Sequence, residues 1–94
     1  DLCLPVPMGM YNGLYIEMKY DTGRLEDSQK KMLKALAAAG HYCTVCYGAE
    51  EAIRVLQEYI NLKKIDAGKR EDTMSEQNLM IRKNGKVKCI IFKE

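Results

Sequence analysis

The sequence contains only two prolines in 94 residues, and no hydrophobic run approaches the roughly 18 residues needed to span a membrane. Its beginning also lacks the pattern of a secretory signal peptide. Hydrophobic residues make up 47% of the chain and charged residues 30%, which is typical of a globular domain and excludes a disordered or fibrous protein. We therefore expect one small, soluble, cytoplasmic domain.

Charge is unevenly divided along the chain. Residues 1–60 contain six Lys or Arg against eight Asp or Glu, a net charge of −2, whereas residues 61–94 contain nine against five, a net charge of +4. The two parts add up to the total of +2. A basic second part favours a polyanionic partner, although basic segments are also common as plain solvated surface.

Two of the four cysteines, Cys43 and Cys46, form a C-x-x-C pattern that is found in zinc and redox sites. The surrounding residues, 42–47, are aromatic, β-branched or Cys, which is typical of a buried strand. Residues three apart on a strand point to opposite faces, so the two sulfurs should diverge. A zinc site would need two more ligands, and only His41 lies near. We therefore expect structural thiols in a reducing compartment and a surface position for His41.

The apolar periodicity predicts the order strand, strand, helix, strand, helix, followed by a β-hairpin. Pro5 and Pro7 mark either the end of the first strand or an edge of the sheet, and Asn84-Gly85 is a strong signal for a two-residue hairpin turn. The predicted elements are strands at 1–6, 14–20 and 42–47, helices at 26–39 and after Gly48, and hairpin strands at 79–82 and 87–92. The second helix should bury one face made of Ala52, Ile53, Leu56, Tyr59 and Ile60.

These elements predict an α/β fold with a mixed sheet. We expect a core at residues 1–62, a charged connector at 63–77 that has few large apolar residues, and a C-terminal hairpin extension at 78–94. The sequence leaves open whether that hairpin joins the sheet, pairs with a second subunit or is independent.

The segment 13–19 carries the chemically informative residues. On a strand, Glu17 and Lys19 share a face with their backbones about 7 Å apart, and a simple surface ion pair accounts for most such Glu-x-Lys triplets. If the first two strands pair antiparallel, however, Asp1 falls close to Glu17. Two adjacent carboxylates are costly unless a cation joins them, and Mg²⁺ suits such oxygen ligands. Lys19 would then orient a water for attack on a phosphorus.

Gln29 is a polar residue on the face of the first helix that carries Leu33 and Leu36, so it points towards the sheet and needs a partner. One interpretation is a capping box with the residue three positions earlier, which is weakened because that residue is Glu26 and not Ser or Thr. The other places Gln29 beside Lys19, where it helps to position the water or a phosphate. Both interpretations remain open at this point.

Several short segments between residue 1 and about residue 60 form a pattern in their order and spacing. The segments are Asp1, Gly13-Leu14-Tyr15-Ile16-Glu17-Met18-Lys19, Gly23-Arg24-Leu25 with Gln29, Gly40-His41-Tyr42, Val45-Cys46-Tyr47-Gly48 and Glu51-Ala52-Ile53. Together they resemble the VRR-NUC (virus-type replication-repair nuclease) domain, a branch of the PD-(D/E)xK nucleases, and the resemblance implies a restriction-endonuclease-like core.

The resemblance also implies roles for individual residues. Asp1 and Glu17 match the metal-binding carboxylates, with the backbone carbonyl of Met18 as a further ligand. Lys19 matches the catalytic lysine, and Gln29 matches the glutamine of the following helix. Members of the family use Mg²⁺ or Mn²⁺ to hydrolyse DNA phosphodiester bonds. The family places a helix ahead of the Asp, so we expect the complete domain to include such a helix.

The same resemblance implies DNA as the partner. Arg24 lies where the family usually has Arg and is expected to contact phosphate, and Lys30, Lys63 and Lys64 are further candidates for DNA binding. Small stand-alone members from phages and bacteria resemble Holliday-junction resolvases that act as homodimers. The sequence therefore favours a structure-selective endonuclease of replication, repair or recombination, and the alternative is a non-catalytic DNA-binding or dimerisation module that keeps the nuclease fold.

Overall fold

The computed structural model describes residues 1–62 and 76–93, and it describes side chains for residues 1–62 and 79–88. Its elements are β1 Leu2–Leu4, β2 Leu14–Lys19, α1 Asp27–Ala38, β3 Tyr42–Tyr47, α2 Ala49–Ile60, β4 Glu76–Lys83 and β5 Lys86–Lys93. The α/β class and the mixed sheet are thereby confirmed, in agreement with a restriction-endonuclease-like core. Within these ranges no helix is long and apolar enough to cross a membrane.

The element boundaries differ from the expectation at two strands. β1 ends at Leu4 because Pro5 and Pro7 follow and cannot donate ladder hydrogen bonds. β4 begins at Glu76, three residues earlier than the apolar pattern predicts, because polar residues extend the strand beyond its apolar part. Most of the predicted connector, residues 63–75, lies outside the described residues.

All five strands form one sheet in the order β1-β2-β3-β4-β5. β1 pairs antiparallel with β2, while β2, β3 and β4 are mutually parallel, and β4 pairs antiparallel with β5. The C-terminal hairpin therefore joins the sheet, with β4 beside β3. Its turn residues Asn84 and Gly85 have φ values of 52° and 73°, as a two-residue turn of type I′ requires.

Each helix covers one face of this sheet. The α2 face has a core of Leu14, Ile16, Cys46, Ala52, Val55 and Tyr59. The α1 face has a core of Leu33, Ala37, Cys43, Val45 and Leu79. Because alternate strand residues point to opposite faces, Tyr15, Glu17 and Lys19 belong to the α1 face.

The buried face of α2 differs from the predicted one. Val55 and Glu51 are buried together with Ala52 and Tyr59. The remaining apolar residues of the helix are 40–54% exposed, and they are Ile53, Leu56 and Ile60. A helix turns by about 100° per residue, so directing Val55 at the sheet carries its apolar neighbours towards solvent. The apolar surface of α2 is wider than the strip that the sheet covers.

The two cysteines of the C-x-x-C pattern lie on opposite faces of β3, as predicted. Cys43 is packed on the α1 face and Cys46 on the α2 face, and both are free thiols. His41 is only partly exposed at the surface, with Nδ1 3.2 Å from the Leu36 carbonyl oxygen. A Cβ atom on Gly13 would lie 3.2 Å from the His41 ring, so glycine is what permits this packing.

The buried thiols should be chemically inert. Burial raises the pKa of Cys43 to about 12, so this thiol stays protonated at pH 8. Burial likewise raises the pKa of Cys46, although a hydrogen bond with Thr44 opposes the change. Because the thiolate is the reactive form, we expect Ellman's reagent to modify exposed Cys3 at once and Cys43 and Cys46 only after unfolding.

The measurement uses a Cys89→Ser background, in which three thiols remain. We expect one thiol per native chain to react at pH 8 and three in denaturant. Fast reaction of a second thiol in the native protein would contradict the burial of the C-x-x-C pair. Comparison with a Cys3→Ser variant identifies the reactive residue.

Candidate active site

The sheet register places two carboxylates side by side at the edge of the α1 face. Leu2 pairs with Ile16, so Asp1 lies opposite Glu17 on the neighbouring strand. Side chains of directly opposite residues have Cβ atoms only about 5 Å apart. Both carboxylates line a pocket of about 160 Å³, together with Tyr15, Gln29, Met32 and Leu33.

Glu17 is buried, and only one of its two carboxylate oxygens has a hydrogen-bond partner. The residue is 4% exposed, its Oε1 accepts a hydrogen bond of 2.6 Å from Nε2 of Gln29, and its Oε2 is buried without a hydrogen-bond partner. A buried polar oxygen without a partner is costly. The surface ion pair with Lys19 is not formed, since the two ion pairs in the described part of the chain involve other residues.

Gln29 uses both ends of its amide. Oε1 accepts a hydrogen bond of 3.0 Å from the backbone N–H of Glu26, within a capping box at the start of α1, and Nε2 donates to Glu17. The capping box thus forms although residue 26 is Glu. Because Oε1 is engaged by the helix cap, the donor end of the amide must face the carboxylate. The hydrogen bonds of Gln29 within the described part of the chain are those with Glu17 and the Glu26 backbone, so its position beside Lys19 stays a prediction.

Lys19 lies two residues beyond Glu17 on the same face and is half-buried. The loop between β2 and α1, residues 20–26, packs against its aliphatic stem at Gly23. A Cβ atom on Gly23 would lie 3.4 Å from Lys19 Cδ and 3.1 Å from the Tyr20 carbonyl oxygen. The loop therefore lies next to the lysine stem, and a glycine at position 23 allows the close approach to the Tyr20 carbonyl oxygen.

Comparison with known families shows to which family the chain belongs. The family model of the VRR-NUC domain matches residues 1–50, more than half of the chain. The chain belongs to the VRR-NUC family. It is therefore a member of a nuclease family, and DNA is the substrate that this membership implies. No curated protein and no solved structure matches the chain significantly.

In this VRR-NUC domain, Tyr15 is a pocket residue that the sequence interpretation missed. It lines the pocket beside Glu17, and its hydroxyl lies 3.6 Å from the sulfur of Met32. Burial raises the pKa of Tyr15, and the charge of Glu17 raises it further. The phenol therefore stays protonated at neutral pH and remains a hydrogen-bond donor. Its position two residues before Glu17 on the same strand was the signal available in the sequence.

The other predicted site residues occupy different surroundings. The side chain of Met18 packs on the α2 face, so only its backbone belongs near the carboxylates. Arg24 is exposed in the β2–α1 loop, and Lys30 is exposed in the first turn of α1, next to Gln29. Lys63 and Lys64 lie outside the described residues of the VRR-NUC chain.

The donor set of the VRR-NUC pocket fits a hard divalent cation. The described residues contain no cluster of three or more His, Cys, Asp or Glu, which a zinc site would ordinarily need. They provide two carboxylates, one of them with a buried oxygen that lacks a partner. Mg²⁺ is commonly held by one or two carboxylates while it keeps several waters, so Asp1 and Glu17 match its requirements.

Proposed function

We propose that this protein is a Mg²⁺- or Mn²⁺-dependent DNA endonuclease that hydrolyses phosphodiester bonds at the pocket between β1, β2 and α1. The observation that carries the proposal is the unpartnered Oε2 of Glu17, which is buried opposite Asp1 at the edge of the sheet. A second carboxylate beside an unsatisfied one raises the electrostatic cost of the site, and a divalent cation removes that cost.

Each side chain then has a defined task. Asp1 and Glu17 would hold the cation, with the backbone carbonyl of Met18 as a further oxygen ligand. The bound cation supplies Lewis-acid stabilisation of charge on the phosphate oxygens. Gln29 fixes the Glu17 carboxylate through the hydrogen bond of 2.6 Å and so directs its other oxygen into the pocket. The Lys19 ammonium orients the attacking water and adds positive charge where negative charge develops.

The preferred substrate is a branched DNA, such as a four-way junction formed during replication, repair or recombination. Two features support this part of the proposal: the resemblance to small resolvase-like members of the family, and the homodimer that those members form. A homodimer with two such pockets would cut two strands symmetrically. Comparison of a labelled four-way junction with a linear duplex of the same sequence tests this preference.

The test of the catalytic proposal is a cleavage assay with Lys19→Ala. We expect the protein to cut DNA in Mg²⁺ and not in excess EDTA, and we expect Lys19→Ala to lower the rate by about 100-fold or more while the thermal midpoint is unchanged. Lys31→Ala removes a lysine from the exposed surface of α1 and is the matched control. An unchanged rate in Lys19→Ala would overturn the mechanism. DNA binding without cleavage in either metal would favour the non-catalytic module instead.

A further inference from the structure

The strand register extends the active-site face across the sheet to the C-terminal hairpin. At the carboxyl end of the parallel strands, Lys19 on β2 pairs with Tyr47 on β3. Continuing the β3–β4 register places Lys83 beside Tyr47, and Lys83 pairs with Lys86 on β5. The ammonium of Lys83 lies 4.7 Å from the ring centre of Tyr47, which supports this placement. Lys19 and two hairpin lysines therefore belong to one row of the sheet.

The next row on the same face of the sheet lies two residues further from the carboxyl ends of the parallel strands, and it also reaches a hairpin lysine. Glu17 pairs with Val45, Val45 pairs with Ile81, and Ile81 pairs with Lys88. Paired residues share a face, so Lys88 belongs to the same face as Glu17. Strands in a sheet are about 4.8 Å apart, which puts β5 about 14 Å from β2. We call Lys83, Lys86 and Lys88 the hairpin lysines.

The described side chains of the hairpin itself carry only positive charge, and the turn between them donates a hydrogen bond of 2.9 Å from the Gly85 backbone N–H to the carboxylate of Glu51. The hairpin lysines are exposed, and together with Ile81, Asn84 and Val87 they line an open groove of about 460 Å³. Residues 79–88 contain four basic residues and no Asp or Glu. The fourth, Arg82, is buried on the opposite face, where it pairs with Glu58 at 2.9 Å and donates to the Tyr42 hydroxyl at 3.0 Å. Only the lysines are left to face a ligand on the α1 side.

Lys83 also fixes the hairpin relative to the active site. Its Nζ donates a hydrogen bond of 2.6 Å to the carbonyl oxygen of Asp21 in the β2–α1 loop. The Tyr47 hydroxyl donates to the carbonyl oxygen of Gly23 in the same loop. That loop packs against the stem of Lys19 and carries Arg24. Lys83 is therefore a positioning residue, and Lys86 and Lys88 are the side chains with exposed ammonium groups beyond it.

We propose that Lys86 and Lys88 bind the phosphate backbone of the substrate DNA at a position that flanks the phosphate held at Glu17 and Lys19. The inference rests on the proposed function for the location of the cut phosphate. A duplex offers phosphates continuously along each strand, so a molecule seated at the pocket presents others about 14 Å away, at β5. Lysine contacts of this kind fix the position of the duplex without reading its sequence.

The experiment compares two double variants in DNA binding without catalytic metal, measured by fluorescence anisotropy over a range of salt concentrations. Each phosphate contact contributes about 0.9 to the slope of log K against log salt. We expect the double variant that combines Lys86→Ala and Lys88→Ala to show a slope smaller by nearly two. Its binding to DNA should be weaker by about tenfold or more at 0.1 M salt. Lys31→Ala with Lys34→Ala removes the same charge from exposed positions of α1 and should change the slope much less.

The outcomes separate this inference from the proposed function. An equal loss of slope in both double variants, or in neither, overturns the hairpin site even if the protein cuts DNA. If the slope falls only in the Lys86→Ala, Lys88→Ala double variant and the protein never cuts DNA, the hairpin site is supported and the proposed nuclease activity is rejected. If the Lys86→Ala, Lys88→Ala double variant lost binding to double-stranded RNA while its binding to DNA was unchanged, DNA would be the wrong ligand for the hairpin lysines. Unchanged thermal midpoints confirm that the variants are folded.

Discussion

Replacing Glu17 with glutamine is expected to abolish metal-dependent cleavage and, in the absence of metal, to stabilise the fold. The carboxylate is buried beside Asp1 with one oxygen unpartnered, so the folded protein holds a negative charge that no described side chain neutralises. An amide of the same shape keeps the hydrogen bond from Gln29 and removes that charge. Its NH₂ group would donate towards Asp1.

Two measurements separate these effects. Cleavage should fall by about 100-fold or more, because the residue proposed to hold the cation is lost. In EDTA, the free energy of unfolding should rise by about 1 kcal/mol, the scale of a buried polar group that gains a partner. In Mg²⁺ the order should reverse, because a ligand at 100 times its Kd stabilises the native protein by about 2.7 kcal/mol and the variant forgoes this gain.

Glu50→Gln is the matched control, since Glu50 is exposed in the first turn of α2 on the other side of the sheet. It should retain both cleavage and the stabilisation by Mg²⁺. If Glu17→Gln destabilised the metal-free protein and left the response to Mg²⁺ intact, the carboxylate would be a structural hydrogen-bond acceptor. The cation would then have to bind elsewhere.

The largest loss of stability is expected from Tyr59→Ala. Tyr59 is 1% exposed in the core of the α2 face, its ring centre is 6.0 Å from that of Tyr42, and its hydroxyl donates to the Val6 carbonyl oxygen. Truncation of a buried aromatic ring costs about 3–5 kcal/mol, a large share of the 5–15 kcal/mol that stabilises a typical domain. We expect a much lower urea midpoint, with an unchanged m value if folding remains two-state.

Tyr59→Phe distinguishes the ring from the hydroxyl. It keeps the packing and removes the hydrogen bond to the Val6 carbonyl oxygen, so we expect a cost of about 1 kcal/mol. Tyr20→Ala is the matched control, because Tyr20 is 78% exposed and its truncation should change stability by less than about 0.5 kcal/mol. If Tyr59→Phe cost as much as Tyr59→Ala, the link to Val6 would contribute more than the packing of the ring.

Periodicity in the sequence was sufficient to predict the order of the helices and strands. It also predicted that Glu17 and Lys19 share one face of a strand, because strand alternation depends on local geometry alone. The antiparallel pairing of the first two strands then placed Asp1 beside Glu17. The capping box of Gln29 with Glu26 was one of the two interpretations of the sequence, but the hydrogen bond from Gln29 to Glu17 was not predicted, since it depends on how α1 crosses the sheet. The buried face of α2 was also missed, because its apolar surface is wider than the strip that is covered.

The position of the hairpin illustrates the other limit. Its turn could be recognised from Asn84-Gly85, but the pairing of β4 with β3 depends on contacts between residues far apart in the chain. Nothing local in residues 79–88 specifies whether these lysines lie near the active site. The rows that place Lys83 and Lys86 with Lys19, and Lys88 with Glu17, follow only once the register of all the strands is known.

The parallel pairing of β4 with β3 also bears on the order of folding. The hydroxyl of Thr44 donates to the carbonyl oxygen of Met80 across 36 positions of sequence, whereas the β4–β5 turn closes with two residues. Short loops close faster and with less loss of chain entropy, so we expect the hairpin to form early and to dock on β3 late. Until it docks, β3 exposes an apolar edge that can pair with another chain. Docking of the hairpin therefore covers the β3 edge as well as extending the sheet, and we expect it to reduce pairing of that edge with other chains.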